Sequence, residues 1–416
     1  MTGLADCNNF FVSCERTLNR ELEGRPVVVL SNNDGCVIAR SNEAKRLGIR
    51  MGQPAFEIRD MMERGDVTAL SGNHLLYRDI SLRVHAILQR YAPQTLDYSV
   101  DESFLLMDGI PERELESIGS AICRTCWEEE HIPVTVGFAR SKTLAKIATE
   151  VGKKGGRNVV VLSDEAEVSA ICDRLSIGEL WGVGRRLTKR LYLDGVYTIG
   201  DFMRKPVLWV RGRLGVNGER SWRELHGEDC ISLDFKERKL QDSISETRTY
   251  PEDIDDFDYL RSRIAIYCAH VSRRLREQGG QCGAMSVFLQ TNRFHTERGY
   301  QSPSVGTIFN PPTADAAQIT HAGVALLESI FNPDIAYKRA GVVLTDLTPA
   351  TYLAPSLFDE DNVELESRMK SRKLMNIVDH LNAEPGPHTV KIASQLTMGH
   401  PGHNDGYSSS FGAPTT

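Results

Sequence analysis

The sequence predicts a multidomain α+β protein whose N-terminal part contains a ferredoxin-like sheet. The chain has 416 residues, and at about 100–200 residues per domain this length predicts roughly two to four domains. Short apolar strands alternate with helical patterns in the first part, and a basic, helical stretch separates that part from a second α/β region. Hydrophobic residues make up 41% of the chain and charged residues 25%, which is typical of a soluble globular protein.

The order of elements in the first part supports the ferredoxin-like sheet. Strands are predicted at residues 3–7, 27–30, 95–100, 103–107, 134–139 and 159–162, and helices at residues 11–19, 40–47, 55–62, 81–91, 114–129 and 142–151. When residues 30–92 are treated mainly as an insertion, the remainder follows a βαββαβ order. In such a split βαβ unit the first and third strands are neighbours.

The rest of the chain divides by composition. Residues 171–230 are helical and basic, and residues 233–242 are charged and typical of a linker. Residues 243–345 return to an α/β pattern, with helices predicted at 259–278 and 314–330 and strands at 284–290 and 339–344. One more helix is predicted at 367–382, and the Gly, Pro and Ser content of residues 399–416 indicates disorder.

Charge is segregated along the chain, although the formal net charge is −7. Basic residues cluster at 140–157, 182–223 and 261–298, and acidic residues cluster at 252–258 and 359–366. Segregated charge is typical of a protein that grips phosphates on one side only. The alternative for any single cluster is a solvated helix face.

The cysteines and the N-terminus indicate the compartment. The chain has nine cysteines, of which only Cys123 and Cys126 are closely spaced. An odd count without paired spacing favours a reducing compartment, and a zinc site would need a second pair of ligands. Residues 1–6 lack the pattern of a signal peptide, and no apolar run approaches the ~20 residues of a membrane helix. We therefore expect a cytoplasmic protein.

Three carboxylates follow predicted strands of the first part. Asp6 ends the first strand, and Asp101 and Glu102 lie where the second and third strands of the βαββαβ order meet. Because the first and third strands are neighbours, these side chains can converge at one end of the sheet. Converging carboxylates need a neutralising cation, and Mg²⁺ prefers such oxygen ligands. The alternative is that the acidic residues simply cap strand ends.

Several long motifs resemble those of the Y-family DNA polymerases. They are DCNNFF at residues 6–11 with CE at 14–15, PVVVLSNNDGCVIAR at 26–40, SVDESF at 99–104, VTVGFARSKTLAKIA at 134–148 and WGVGRR at 181–186. The resemblance runs from about residue 1 to residue 345. It implies a right-hand polymerase with a palm at residues 1–166, inserted small fingers at about 30–75, a helix-hairpin-helix thumb at 167–232, a DNA-binding α/β little finger at 233–345 and a C-terminal tail at 346–416.

The resemblance also implies a catalytic centre. Asp6, Asp101 and Glu102 match the catalytic residues and, with the carbonyl of Cys7, the ligands of two Mg²⁺ ions. One ion would lower the pKa of the primer 3′-hydroxyl, and the other would hold the triphosphate and stabilise the leaving pyrophosphate.

Three further residues match positions that contact the incoming deoxynucleoside triphosphate. Phe11 matches the steric gate, an aromatic ring that would clash with a 2′-hydroxyl. Lys45 and Lys153 match contacts to the triphosphate, whereas Asn42 stands where some relatives have a tyrosine on the fingers helix.

The glycine-rich turn of the basic stretch resembles a helix-hairpin-helix. Gly182 and Gly184 allow close backbone approach, and Arg185 and Arg186 follow directly. Together they imply contacts to the backbone of primer–template DNA, which position a duplex without reading its sequence.

Further partners are implied by the same resemblance. The segment APSLF, with Leu357 and Phe358, resembles a sliding-clamp-binding peptide, although Ala354 stands in place of the usual leading glutamine. A UmuD-type dimer and RecA are also implied as partners, which would associate the protein with the nucleoid.

These observations predict an error-prone translesion DNA polymerase of the DNA-damage (SOS) response. One alternative is a nucleotidyl cyclase, which also uses carboxylates and two metals but needs no basic thumb. The other alternative is a non-catalytic DNA-binding scaffold that retains the polymerase fold, and loss of one of the three carboxylates would favour it.

Overall fold

The structure is a computed structural model that describes residues 1–31, 35–232, 240–293, 299–351, 362–382 and 390. Leu357, Phe358 and residues 399–416, for which the sequence carries predictions, lie outside the described residues. The chain divides into two compact units, Met1–Lys236 and Glu237–Thr416. The division falls within residues 233–242, the predicted linker.

The first unit contains eight described strands and ten described helices, excluding short 3₁₀ turns. The strands are β1 (Thr2–Cys7), β2 (Val27–Leu30), β3 (Val37–Arg40), β4 (Thr68–Ser71), β5 (Gln94–Asp97), β6 (Glu102–Leu106), β7 (Val134–Ala139) and β8 (Val159–Leu162). The helices are α1 (Phe10–Leu18), α2 (Asn42–Arg46), α3 (Arg59–Glu63), α4 (His74–Leu88), α5 (Glu112–Glu130), α6 (Lys142–Gly155), α7 (Glu165–Cys172), α8 (Arg185–Leu193), α9 (Ile199–Met203) and α10 (Val207–Leu225).

The main sheet of this unit has the strand order β5-β6-β1-β7-β8. Strand β1 is antiparallel to both β6 and β7, so the predicted neighbourhood of the first and third strands is confirmed. Strand β8 extends the ferredoxin-like arrangement by pairing in parallel with β7. The antiparallel pairing matters for the site, because it brings the end of β1 to the start of β6.

Side chains of the main sheet alternate between two cores. Leu4 and Phe104 pack with Leu144 of α6, whereas Ala5 and Leu105 pack on the other face with residues of α1, α4 and α5. This alternation is what the period of two residues in a strand dictates. Helix α6 therefore lies on one face of the sheet, directly against β1 and β7.

The first turn of α6 contacts the end of the basic stretch, residues 171–230, through hydrogen bonds and an ion pair. The Glu224 carboxylate is fully buried, and its Oε2 accepts a hydrogen bond of 2.9 Å from the Thr143 backbone N–H. The Nζ of Lys142 lies 2.5 Å from Oδ1 of Asp229. The Ser141 side chain caps the helix through the Leu144 N–H. The contacts of Thr143 and Lys142 join the N-terminus of α6 to the end of the basic stretch, so the position of α6 depends on that stretch as well as on the sheet.

A second, smaller sheet lies within the predicted insertion. Its order is β3-β2-β4, with β2 and β4 parallel. The helix predicted at residues 40–47 is shorter, because residues 37–40 form β3 and the side chain of Ser41 then caps α2 by accepting from the Ala44 N–H. Strand β4 was not predicted from the sequence, and α4 begins at His74, ahead of the predicted residue 81.

The second unit is an antiparallel sheet covered by helices. Its elements are β9 (Ile244–Ile254), α11 (Phe257–Glu277), β10 (Gly280–Gln290), β11 (Ser304–Thr313), α12 (Ala316–Ile330), β12 (Tyr337–Pro349) and α13 (Asn362–Leu381). The strand order is β11-β10-β12-β9. Helices α11 and α12 pack on this sheet around a single buried cluster. Helix α13 is fixed to α11 by a bidentate pair between Arg276 and Asp379, with both distances 2.7 Å.

None of the described helices combines the length and the apolar character that crossing a membrane requires.

Candidate active site

The predicted carboxylates meet at one edge of the main sheet. Asp6 lies opposite Glu102 in the pairing of β1 with β6. The backbone N–H of Cys7 donates a hydrogen bond of 2.9 Å to the Asp101 carbonyl. The antiparallel register therefore brings Asp6 beside Asp101 and Glu102, although they are far apart in sequence.

The turn that carries Asp101 and Glu102 is ordered by one serine. The Ser99 hydroxyl donates to Oδ1 of Asp101 at 2.6 Å and accepts from the Glu102 backbone N–H at 3.1 Å. This local network fixes the direction in which the Asp101 carboxylate points. Ser99 belongs to the SVDESF motif, but its role in shaping the turn was not inferred from the sequence.

Two lysines of α6 neutralise two of the three carboxylates. The Nζ of Lys153 lies 2.5 Å from Oδ1 of Asp6, and the Nζ of Lys146 lies 2.6 Å from Oε1 of Glu102. Burial raises the pKa of Asp6 to about 6; Lys153 opposes that rise, whereas the charges of Glu102 and Asp101 add to it. The raised pKa of Asp6 therefore reflects mainly the burial of its carboxyl group, with a smaller contribution from the two neighbouring carboxylates.

The residues at this edge fit a magnesium site in their chemistry. They offer hard oxygen donors with excess negative charge, which is the ligand type that Mg²⁺ takes. Within the described part of the chain, however, no three acidic, histidine or cysteine side chains lie in an arrangement that could hold an ion as they stand. Lys146 and Lys153 occupy carboxylate oxygens that a metal would otherwise contact.

Lys146 also lies among aromatic rings, a feature that sequence reasoning missed. Its Nζ is 4.7 Å from the centroid of Tyr98 and 5.4 Å from that of Trp181. The indole N–H of Trp181 donates to the Tyr98 hydroxyl at 3.1 Å. Such rings attract a cation through their faces. Lys146 therefore joins Glu102 to the residue that begins the glycine-rich turn.

Phe11, the predicted steric gate, lies half-buried in the first turn of α1. Its ring stacks on Tyr77 of α4, with centroids 4.3 Å apart and an interplanar angle of 14°. The Tyr77 hydroxyl donates a hydrogen bond of 2.6 Å to Oε1 of Glu15. His74 contacts the Phe11 ring edge-on at 5.8 Å. Tyr77 was not singled out from the sequence, and Glu15 belongs to the CE motif at residues 14–15, but its bond to Tyr77 was not inferred.

Lys45 lies on α2 next to the start of α1. Its Nζ donates to Oδ1 of Asn9 at 2.6 Å, and the Asn9 amide donates to Oδ1 of Asn42 at 3.1 Å. Burial lowers the pKa of Lys45, and the positive charges of Arg40 and Lys153 lower it further. Lys45 and Lys153 therefore lie close enough for their positive charges to interact. Asn42 lies beside them and accepts a hydrogen bond from Asn9.

At Gly182 and Gly184, in the predicted hairpin of the basic stretch, the backbone forms the turn that the two glycines indicate. Gly182 has a φ of 86°, a left-handed conformation that glycine adopts without strain. Gly184 is the N-cap residue of α8, and Arg185 and Arg186 form its exposed first turn. Both arginines are exposed, so their side chains face solvent beside a helix N-terminus.

Family models match most of both units. Residues 5–150 match the impB/mucB/samB family, and residues 241–357 match the C-terminal domain of the same family. The chain is 36% identical to Protein UmuC of Salmonella typhimurium over 399 residues, covering 95% of this chain and 93% of that protein. It is 30% identical to DNA polymerase IV of Moorella thermoacetica over 403 residues, covering 95% and 96% of the two chains.

A solved structure has the same fold. A Y-family DNA polymerase chimera matches with a TM-score of 0.66 at 23% identity, over 83% of this chain and 98% of the other. Together with the similarity to Protein UmuC and to DNA polymerase IV, this fold identifies a DNA-directed DNA polymerase of the Y-family, translesion class. Within that class, the chain belongs to the impB/mucB/samB family.

Proposed function

We propose that this polymerase adds deoxynucleotides to a primer 3′-hydroxyl opposite damaged template bases, with low fidelity, as part of the SOS response. The observation that carries the proposal is the register that sets Asp6 against Glu102, with Lys146 and Lys153 beside them. Phosphoryl transfer is catalysed mainly by positioning and electrostatics, and this edge concentrates both kinds of charge. The similarity to Protein UmuC supports the assignment to the damage response.

Asp6, Asp101, Glu102 and the carbonyl of Cys7 would hold two Mg²⁺ ions. When bound, the ions supply activation of the primer hydroxyl and charge stabilisation at the leaving pyrophosphate. The chain's own residues orient the reactants. The Ser99 hydroxyl holds Asp101 in one direction through its 2.6 Å bond, and the Lys153 ammonium holds one oxygen of the Asp6 carboxylate at 2.5 Å.

The nucleotide would lie between the two sheets of the first unit. Lys45 and Lys153 provide positive charge for the triphosphate, and the charge of Lys153 contributes to the lowered pKa of Lys45. Phe11 would lie under the sugar, where its ring leaves no room for a 2′-hydroxyl. The stacking of Phe11 on Tyr77 supports a fixed position for that ring.

DNA would be held by its backbone. Gly182, Gly184, Arg185 and Arg186 present a helix N-terminus and two exposed cations, a combination that suits a phosphate. We assign the palm to residues 1–166 with fingers at about 30–75, the thumb to 167–232, the DNA-binding little finger to 233–345 and the tail to 346–416. The division of the chain within residues 233–242 is compatible with this assignment.

The same proposal includes protein partners. A sliding clamp would bind Leu357 and Phe358, and a UmuD-type dimer and RecA would act with the polymerase in the cytoplasm at the nucleoid. Support for the last two partners comes from the resemblance to UmuC alone.

Primer extension tests the proposal. The full chain is given Mg²⁺, deoxynucleotides and a primer on either an undamaged template or one with a single abasic site, with and without a UmuD-type dimer, RecA and clamp. Extension past the abasic site is expected, and the Asp101→Ala variant serves as the inactive control. Binding of DNA without extension of any primer would favour a non-catalytic scaffold, and stalling at the lesion would contradict the bypass function.

A further inference from the structure

Tyr77 joins two residues of α1 that lie on the same face of that helix. Phe11 and Glu15 are four residues apart, so their side chains project from successive turns. The Tyr77 ring stacks on Phe11 with centroids 4.3 Å apart, and its hydroxyl donates to Oε1 of Glu15 at 2.6 Å. Tyr77 is therefore held to α1 at two points, by its ring face and by its hydroxyl.

The contact between Tyr77 and Glu15 is buried and charged. Tyr77 is 1% exposed and Glu15 is 7% exposed. A buried carboxylate is costly unless a donor satisfies it, and the Tyr77 hydroxyl supplies that donor. A tyrosine held by such a bond cannot rotate away without leaving the Glu15 carboxylate unsatisfied. The ring of Tyr77 is thus a fixed surface behind Phe11.

Phe11 itself has fewer restraints. Its side chain is only half-buried, and its described ring contacts are the Tyr77 face, the His74 edge at 5.8 Å and the tilted ring of Phe10 at 5.9 Å. Of these, only the Tyr77 contact is a close stack, with an interplanar angle of 14°. Removing the Tyr77 ring would open space behind Phe11.

We propose that Tyr77, fixed by Glu15, is a positioning residue that sets how well Phe11 excludes a ribonucleotide. The inference rests on the proposed role of Phe11 as the sugar gate and extends it to two residues that do not touch the nucleotide. A steric gate discriminates against ribose only if its ring keeps its position, because discrimination comes from a clash with the 2′-hydroxyl that costs free energy. With its backing ring absent, Phe11 can shift and accommodate a 2′-hydroxyl.

The experiment measures sugar selectivity as the ratio of kcat/KM for a deoxynucleotide to that for the matching ribonucleotide. We expect Tyr77→Leu to lower this ratio by about threefold to tenfold, the range that corresponds to the loss of one aromatic stack. The decrease should come from improved use of the ribonucleotide. Tyr77→Phe keeps the ring but loses the hydroxyl bond and should give a smaller decrease. Glu15→Gln keeps an acceptor for the Tyr77 hydroxyl and should therefore leave the selectivity ratio at the wild-type value.

Val84→Ala is the matched control. Val84 lies on the same helix as Tyr77, two turns further along, and is buried, so its truncation destabilises α4 while it leaves the Tyr77 ring and hydroxyl in the chain. Its selectivity ratio should equal that of the wild type. Thermal unfolding of each variant separates a loss of fold from a change in selectivity.

The double variant Phe11→Ala with Tyr77→Leu tests the coupling directly. If Tyr77 acts through Phe11, the double variant should have the ratio of Phe11→Ala alone. Independent, multiplied effects would overturn the inference, as would a Tyr77→Leu ratio equal to the wild-type ratio while Phe11→Ala alters it. An unchanged ratio in Phe11→Ala would instead refute the gate itself and, with it, the role of Tyr77.

Discussion

Lys146 and Glu102 form an ion pair in which Nζ and Oε1 lie 2.6 Å apart, with both side chains largely shielded from solvent. The lysine thus places a fixed positive charge at the position where a divalent cation is proposed to bind. Because like charges repel, Lys146 should weaken metal binding at this edge.

We therefore expect Lys146→Met to bind Mg²⁺ or Mn²⁺ about threefold to tenfold more tightly, which corresponds to ~1 kcal/mol of removed repulsion. Isothermal titration calorimetry of the DNA-free protein with each metal measures this affinity. Lys154→Met is the control, because Lys154 lies on the same helix but pairs with Glu179 and Glu150. Equal affinity in Lys146→Met and Lys154→Met would contradict the prediction.

Removing a carboxylate should separate catalysis from DNA binding. Asp101→Ala and Glu102→Ala are each expected to abolish nucleotide addition, because a proposed metal ligand is lost while the hairpin at Gly182–Gly184 is unchanged. Single-turnover primer extension measures the first property, and fluorescence anisotropy with labelled primer–template measures the second. A variant that extends primers at the wild-type rate would show that the acidic edge is not the catalytic centre.

Phe11→Ala should weaken discrimination between sugars. Deleting the ring removes the clash with a 2′-hydroxyl, and about 1.4 kcal/mol of lost selectivity corresponds to a tenfold change. We expect ribonucleotide incorporation to rise by about tenfold or more while deoxynucleotide incorporation continues. Competition between the two nucleotides in a gel assay measures the ratio. If the ratio does not change, Phe11 is a core residue rather than a gate.

The first turn of α8 should contribute to salt-dependent DNA binding. The double variant Arg185→Ala with Arg186→Ala is expected to weaken binding to any duplex sequence, because the two cations are proposed to contact phosphates. Each lost phosphate contact should reduce the slope of log K against log salt by about 0.9. Arg204→Ala is the control, since Arg204 is already paired with Asp173 and Asp201. Equal slopes of log K against log salt in the wild type and the double variant would mean that Arg185 and Arg186 do not contact DNA phosphates.

Glu15 should affect stability in a pH-dependent manner. Burial raises the pKa of its carboxyl above 4.5, although the Tyr77 hydroxyl bond opposes the rise. The folded state therefore binds a proton more readily than the unfolded state, so stability falls as the pH rises from the ordinary value through the raised one. Glu15→Gln removes this part of the fall and should have a Tm at pH 7 equal to or above the wild-type value. A clearly lower Tm would mean that the charge itself stabilises the fold.

The sequence predicted those parts of the molecule that depend on local pattern and strand order. The convergence of Asp6 with Glu102 follows from the βαββαβ order, since that order makes β1 and β6 neighbours. The hairpin at Gly182 and Gly184 follows from a local motif. In both cases the relevant information lies in short segments and in their sequence along the chain.

Other features depended on tertiary contacts that no local pattern carries. Strand β4 has the sequence TALS, which lacks a clear alternation, and it forms by pairing with β2. Strand β9 contains several charged residues that obscure its apolar face. The bond between Tyr77 and Glu15 joins residues 62 positions apart, and nothing in either segment indicates the other. The pairing of Lys146 with Glu102 is of the same kind.

Helix α6 carries both lysines of the acidic edge, and Lys146 and Lys153 are two turns apart, about 10.5 Å along the axis. The same helix is fastened at its N-terminus by Glu224 and Asp229. Charge balance at the proposed reaction centre and attachment of the region that is proposed to hold DNA thus depend on the same helix. A displacement of α6 would alter both at once, so we expect a movement of bound DNA to change the electrostatics of the acidic edge.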